Sequence, residues 1–164
     1  HVSADQMMGS WAGAMGQCQF MPSSFVNAAV DRNGDGRKDI WGTHADIFAS
    51  AANLLAMNGW RRGEGWGLHV RLPDVFDLGE DGLEVRRRLS VWQEMGVRRH
   101  DGRDLPDDDM LASLIMPDGP DGPVFLVYDN YRAIMRWNRS HYFALTVGYL
   151  ADRVAGRNIV IFGE

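Results

Sequence analysis

Residues 31–42, "DRNGDGRKDIWG", hold the side chains most plainly spaced for chemistry. Asp31, Asn33, Asp35 and Asp39 occupy positions 1, 3, 5 and 9 of a loop, with Gly36 at position 6. This is the spacing of an EF-hand-type calcium loop, in which hard oxygen ligands alternate and the sixth residue makes a sharp turn. Arg37, at position 7, would contribute its backbone carbonyl. Three carboxylates this close repel one another unless a cation or full solvation relieves them. Position 12 is Gly42 in place of the bidentate Glu of that motif, which leaves Asp46 to reach back and complete the ligand set. Asp46 has a second reading: it lies three residues after Thr43 and could complete a helix capping box. The whole loop also reads as a solvated turn held by Asx-type hydrogen bonds.

The segment at residues 9–24, "GSWAGAMGQCQFMPSS", is unusual in a different way. A helix built for burial would not spend Gly9, Gly13 and Gly16 at close intervals, since each costs about 1 kcal/mol relative to Ala. Cys18, the only cysteine, excludes an internal disulfide and a Cys-based zinc site. With no histidine suitably placed, it reads as a small buried apolar residue rather than a nucleophile. The five histidines are scattered and none pair at helical or finger spacing, which disfavours a transition-metal site.

The elements that must position these residues can be outlined from periodicity. Residues 10–30 read as a glycine-rich helical segment, a break near Gln19–Pro22, and a short helix with Pro22 in its first turn, where proline is tolerated. Residues 43–59 form the clearest helix, with Ile47, Ala51, Leu54 and Leu55 on one face, Thr43 as N-cap and Gly59 as the stop. "LHVRL" (68–72) alternates as a half-buried strand does. Ser90 and Gln93 read as a capping box opening a short helix that ends at Gly96. "MLASLIM" (110–116) and "VFLVY" (124–128) are strand-like, joined by the tight reversal "PDGPDGP". A closing helix begins near Ser140, with Phe143, Val147, Leu150 and Val154 on one face. The fold expected is α+β, mainly helical, with a small antiparallel sheet, as one domain over residues 1–164.

Composition narrows the function classes. The chain has 164 residues, 45% hydrophobic and 24% charged, as an ordinary globular domain does. Net charge is -5 and the Arg86-Arg87-Arg88 cluster is balanced by Glu80, Asp81 and Glu84, so nucleic acid is not an expected partner. No apolar run approaches the ~18 residues of a membrane span. Nothing points to an organic cofactor.

Four stretches then carry a resemblance. "GSWAGAMGQCQFMPSS", "AVDRNGDGRKDIWG", "ADIFASAANLLAMNGW" and "NYRAIMRWNRSHYFALTVGYLADRV" resemble the lytic murein transglycosylase B family, and the likeness runs over nearly the whole chain. The resemblance implies a lysozyme-like domain of a bacterial, periplasmic cell-wall enzyme, soluble or lipid-anchored, whose partner is the peptidoglycan glycan strand. It implies cleavage of the β-1,4 bond between N-acetylmuramic acid and N-acetylglucosamine, leaving a 1,6-anhydromuramoyl end, with one glutamic acid as acid and then base.

That glutamate is expected in a motif well upstream of "GSWAGAMG". None of residues 1–8 is Glu, and Glu64, Glu80, Glu84, Glu94 and Glu164 stand in no matching context. No catalytic residue is therefore assigned within this chain, which reads as the C-terminal part of a catalytic domain, inactive alone, with the missing N-terminal part as its partner. The resemblance assigns Ser10 to orienting the carboxylate, Gln19 to the N-acetyl and hydroxyl groups of an amino sugar, and Phe20 to a sugar face. Asn138 is the second amide at the cleft, beside Trp137. Leu54 and Phe143 stand where many members have tyrosine, and Tyr142 could supply the second hydroxyl. A non-catalytic peptidoglycan- or calcium-binding module, and a hydrolytic lysozyme-type glycosidase, are the alternatives.

Overall fold

The computed structural model describes Ser3, residues 7–108 and residues 110–157. It divides at Trp60–Arg61 into two compact units. The first contains helices α1 (Pro22–Ala28) and α2 (His44–Met57). The second contains strands β1 (Gly67–Arg71), β2 (Arg87–Arg88), β3 (Arg98–Arg99), β4 (Leu111–Ile115) and β5 (Val124–Val127), and helices α3 (Leu89–Glu94), α4 (Asp129–Trp137) and α5 (His141–Val154).

In the first unit, residues 9–20 are not helical, contrary to the sequence expectation. They form a compact loop closed by two bridges, Gly9 with Met15 and Met15 with Phe20. The glycines are the reason. Gly16 sits at φ 63, and a Cβ there would lie 2.6 Å from the Ile40 carbonyl oxygen, so a side chain would be excluded on both counts. Pro22 starts α1 as expected. Helix α2 buries Asp46, Ile47, Ser50 and Leu54 along one face. Thr43 is its N-cap residue by position, but its hydroxyl donates to Asp39 Oδ2 at 3.0 Å instead of capping the helix.

The second unit is built on a five-stranded antiparallel sheet in the order β2-β4-β5-β1-β3. β4 and β5 are buried almost throughout, and their register pairs Leu114 with Leu126. Val70, Leu89, Trp92, Val97, Leu114 and Leu126 form the centre of the core. Burying each such side chain contributes about 1.5–3 kcal/mol. The Trp92 indole donates to the Ala112 carbonyl at 3.1 Å, so its polar atom is satisfied inside that core.

Ser90 and Gln93 do not form a capping box. Arg88 is the N-cap of α3, Ser90 lies within the helix, and Gln93 Oε1 accepts from the Leu105 N–H at 2.6 Å. Ser140 does cap α5, accepting from the Phe143 N–H at 3.3 Å. α4 follows β5 with Tyr128 alone between them. Its Asn130, fully buried, holds the 61–64 turn by accepting from the Arg61 N–H and donating to the carbonyls of Arg61 and Glu64.

Candidate functional site

In the first unit the expected substrate residues Ser10, Gln19 and Phe20 lie in the 9–20 loop. Ser10 is exposed, and its Oγ accepts from the Ala14 N–H at 3.1 Å, within a turn where Ser10 N–H donates to the Ala14 carbonyl. Gln19 is also exposed and stands at φ 49, the one non-glycine residue in the left-handed region among the described residues. Its Nε2 donates to the Gly16 carbonyl at 2.8 Å. A left-handed residue with a Cβ costs roughly 1–2 kcal/mol, and such strain gathers at functional sites. Phe20 corrects the sequence expectation. It is 0% exposed, because its backbone pairs both ways with Met15 and turns the ring inward, so it offers no face to a sugar. Trp11, in the same loop, is 100% exposed; its sequence signal was a large aromatic set among glycines.

Cys18 is buried, its Sγ donates to the Ile47 carbonyl at 3.4 Å, and burial pushes the thiol up from its ordinary range. It is a packing residue.

Between α1 and α2, the acidic loop folds around its own carboxylates. Asp31 accepts from the N–H groups of Gly34 (2.7 Å) and Gly36 (2.8 Å), and Gly36 makes the sharp turn at φ 82. Asp35 Oδ1 accepts from the Arg37 N–H, and Asn33 Oδ1 from the Asp35 N–H. Asp46 is fully buried and reaches the loop from α2, accepting from Arg32 N–H at 2.8 Å and Asp39 N–H at 2.9 Å. It therefore caps the loop and not its own helix. Those bonds, the Asp39 N–H first, hold its carboxyl below the usual range; Gly42 N–H does the same for Asp39. An oxygen accepting one N–H keeps a second lone pair, so the donor chemistry suits a hard cation. The carboxylates do not converge on a common point: among the described residues no three His, Cys, Asp or Glu side chains are gathered to hold an ion.

In the second unit, Trp137, Asn138 and Tyr142 lie along the chain at the corner between α4 and α5, each with a different partner. Asn138 is exposed, and its Oδ1 accepts from the Ser140 N–H at 3.0 Å, shaping the turn into α5. Trp137 is half-buried, with its ring centroid 6.5 Å from that of Phe143. Tyr142 is 60% exposed and donates to Asp118 Oδ1 at 2.6 Å, a bond that raises the phenol's pKa.

The described glutamates differ in their surroundings. Glu80 makes a two-pronged bond to Arg87, both contacts at 2.8 Å, which holds its carboxyl below the usual range. A general acid needs the opposite shift. Glu64 lies 3.7 Å from Arg61, and Glu84 and Glu94 are exposed. Glu164 lies outside the described residues.

The second unit also holds a cavity of about 710 Å³, bordered by the "GEGWG" stretch (63–67) and by Arg99, Asp108, Asp152 and Arg157. Three glycines within five residues were its only sequence signal.

Comparison with known proteins bears on these geometries. The family described as Transglycosylase SLT domain matches residues 1–152. Membrane-bound lytic murein transglycosylase B of Escherichia coli (strain K12) is 29% identical over 151 residues, spanning 91% of this chain and 40% of that protein. Among solved structures, SltB3 from Pseudomonas aeruginosa in complex with NAG-anhNAM-pentapeptide is 47% identical, with a TM-score of 0.92 over 99% of this chain and 44% of that one. The Escherichia coli lytic transglycosylase Slt35 in complex with calcium is 31% identical, with a TM-score of 0.71 over 91% of this chain and 46% of that one. The chain thus spans less than half the length of each of these relatives.

Proposed function

The chain belongs to the transglycosylase SLT domain family, and from that premise we propose that it is the substrate-binding part of a peptidoglycan lytic transglycosylase. The observation that carries this reading is the likeness to SltB3, 47% identical over 99% of the chain, which holds a NAG-anhNAM-pentapeptide. The reaction is cleavage of the MurNAc–GlcNAc β-1,4 bond in strands that bear peptide stems, in the bacterial periplasm. Among the described residues no helix is long and apolar enough to cross a membrane.

A glutamic acid protonates the departing glycosidic oxygen as the C1–O bond breaks. The resulting carboxylate then takes the proton from the muramoyl 6-hydroxyl as that oxygen bonds to C1. The nucleophile belongs to the substrate, so one carboxylate serves where ordinary glycosidases use two. Since Glu80 is neutralised by Arg87 and the other described glutamates are exposed or loosely paired, we assign the acid to a part of the protein outside residues 1–164 and read this chain as part of one catalytic domain.

The chain's own residues bind and orient. Ser10 supplies a hydroxyl beside the reacting carboxylate, Gln19 an amide for the N-acetyl and hydroxyl groups, and Trp11 a stacking face. Asn138, Trp137 and Tyr142 contribute a second polar and aromatic set. Incubating this chain alone with purified sacculi tests the assignment of the acid. Glycan binding without soluble muropeptide is expected, and release of anhydromuropeptide by the chain unaided would overturn it.

We also propose a structural calcium ion on the helix–loop–helix of residues 22–57, as an EF-hand-like loop. Asp31, Asn33, Asp35, the Arg37 carbonyl and Asp46 would hold it once drawn together around the ion. The oxygen-only donor set and the calcium complex of Slt35 support this reading.

A further inference from the structure

The cavity bordered by residues 63–67 is lined by none of the residues expected to bind the glycan. At about 710 Å³ it is of ligand-binding size. Two features define what would enter it.

The first is an open sheet edge. The Trp66 carbonyl accepts from the Tyr128 N–H at 2.9 Å, so the polar backbone groups of Trp66 face β5. Strand alternation turns those of Gly67 to the opposite side. On that side β3 pairs with Val70 and Arg71, and the His100 N–H donates to the His69 carbonyl. The chain then turns back on itself, with Gly102 N–H donating to the Arg99 carbonyl at 2.8 Å and Arg99 N–H to the Arg103 carbonyl at 2.9 Å. Among the described residues, the N–H and C=O of Gly67 thus face no strand partner and border the cavity, where an extended chain can add as a further strand.

The second feature is charge of both signs on the walls. Arg157 is fixed by Asp152 at 3.0 Å, and Asp152 in turn accepts from the Trp66 indole at 2.7 Å. Among the described residues Arg99 and Glu64 make long ion pairs, to Asp101 at 3.9 Å and to Arg61 at 3.7 Å, and both line the cavity with Asp108. Loose surface pairs of this kind contribute little and exchange readily for a ligand.

We propose that this cavity binds a short extended peptide carrying both a free carboxylate and a free ammonium group, namely the stem peptide of the peptidoglycan strand, along the edge at Gly67. Arg99 receives the carboxylate, and Glu64 with Asp108 receives the ammonium. The inference rests on peptidoglycan being the substrate, and it gives the second unit a specificity role separate from glycan binding.

The test is a calorimetric titration of this chain with three probes: the free stem pentapeptide, the same peptide with amidated carboxylates and acetylated amines, and a peptide-free amino-sugar tetrasaccharide. The expected result is saturable binding of the free peptide, weakened at least tenfold by capping and at least tenfold by Arg99→Glu. The Arg99→Glu protein should keep its melting temperature and its tetrasaccharide affinity. Tetrasaccharide binding with no peptide binding would overturn the inference while leaving the glycan reading intact. Peptide binding indifferent to capping or to Arg99→Glu would also overturn it. Failure of the tetrasaccharide alone would count against the glycan reading and not against the peptide site.

Discussion

Gly148 of α5 lies flat against the indole of Trp66. A Cβ at position 148 would stand 2.5 Å from Trp66 Cδ2 and 2.7 Å from Cε2. Trp66 is itself buried, reaches Asp152 through its Nε1–H at 2.7 Å, and meets the ring of Tyr149 edge-on at 5.3 Å. The absence of one methyl group thus sets how closely the closing helix packs on the sheet unit. Gly148→Ala is expected to destabilise the protein by about 1–3 kcal/mol through overpacking, despite the better helix propensity of Ala. Urea unfolding followed by tryptophan fluorescence reads the shift in midpoint; an unchanged or raised midpoint would refute the packing argument.

Gln19 yields a prediction that separates folding from function. Glycine at φ 49 carries no Cβ penalty, roughly 1–2 kcal/mol, but Gln19→Gly loses the 2.8 Å bond to the Gly16 carbonyl, worth about 0.5–1.5 kcal/mol. Stability should therefore change by no more than ~1.5 kcal/mol. Affinity for a peptide-free glycan should fall at least tenfold. Comparing urea midpoints with glycan titrations checks both halves, and unchanged glycan affinity would remove Gln19 from the binding surface.

His69 predicts a pH dependence. Burial, and then the charge of His100 stacked 4.0 Å away, lower its pKa from 6.5 to about 4. The folded state resists the proton that the unfolded chain accepts, so this contribution is full above pH 6.5 and is lost progressively as pH falls toward 4. Unfolding should take up one proton in that window. His69→Gln should flatten the slope of urea midpoint against pH between 6.5 and 4, and an equally steep slope in the variant would refute the assignment.

The acidic loop predicts a metal response. Calcium at 100 times its dissociation constant should stabilise the protein by about 2.7 kcal/mol, and EDTA should remove the gain. Asp46→Asn should abolish it and also cost about 1–3 kcal/mol without metal, because an amide cannot serve both Arg32 N–H and Asp39 N–H as acceptor. Thermal melts with calcium or EDTA decide this; equal midpoints would contradict a bound ion.

Much of the scaffold was legible in the sequence because the signals were local. The apolar face of α2, the buried runs of β4 and β5, and the start of α5 near Ser140 each follow from a few consecutive residues. α4 was missed because it leaves β5 with no turn residue between them, and its anchor, Asn130, bonds to residues 66 to 69 positions away. Residues 9–20 were misread because Gly16 answers to the Ile40 carbonyl, which periodicity does not register. Site chemistry was legible as residue type and less so as exposure. Ser10, Gln19 and Asn138 are at the surface, whereas Phe20 is buried and Trp11 is the exposed ring. The cavity at Gly67 depends on where β3 ends relative to β1, which is a tertiary fact.

If this chain serves a lytic transglycosylase, the substrate's own 6-hydroxyl closes on C1. Mass spectrometry of the muropeptides that the longer protein releases from purified sacculi tests it most directly. The expected products carry muramoyl ends one water lighter than the hydrolytic product and resistant to borohydride, with yield falling at least tenfold in Gln19→Gly. Borohydride-reducible muramic acid ends would show that water is the nucleophile, and would contradict it.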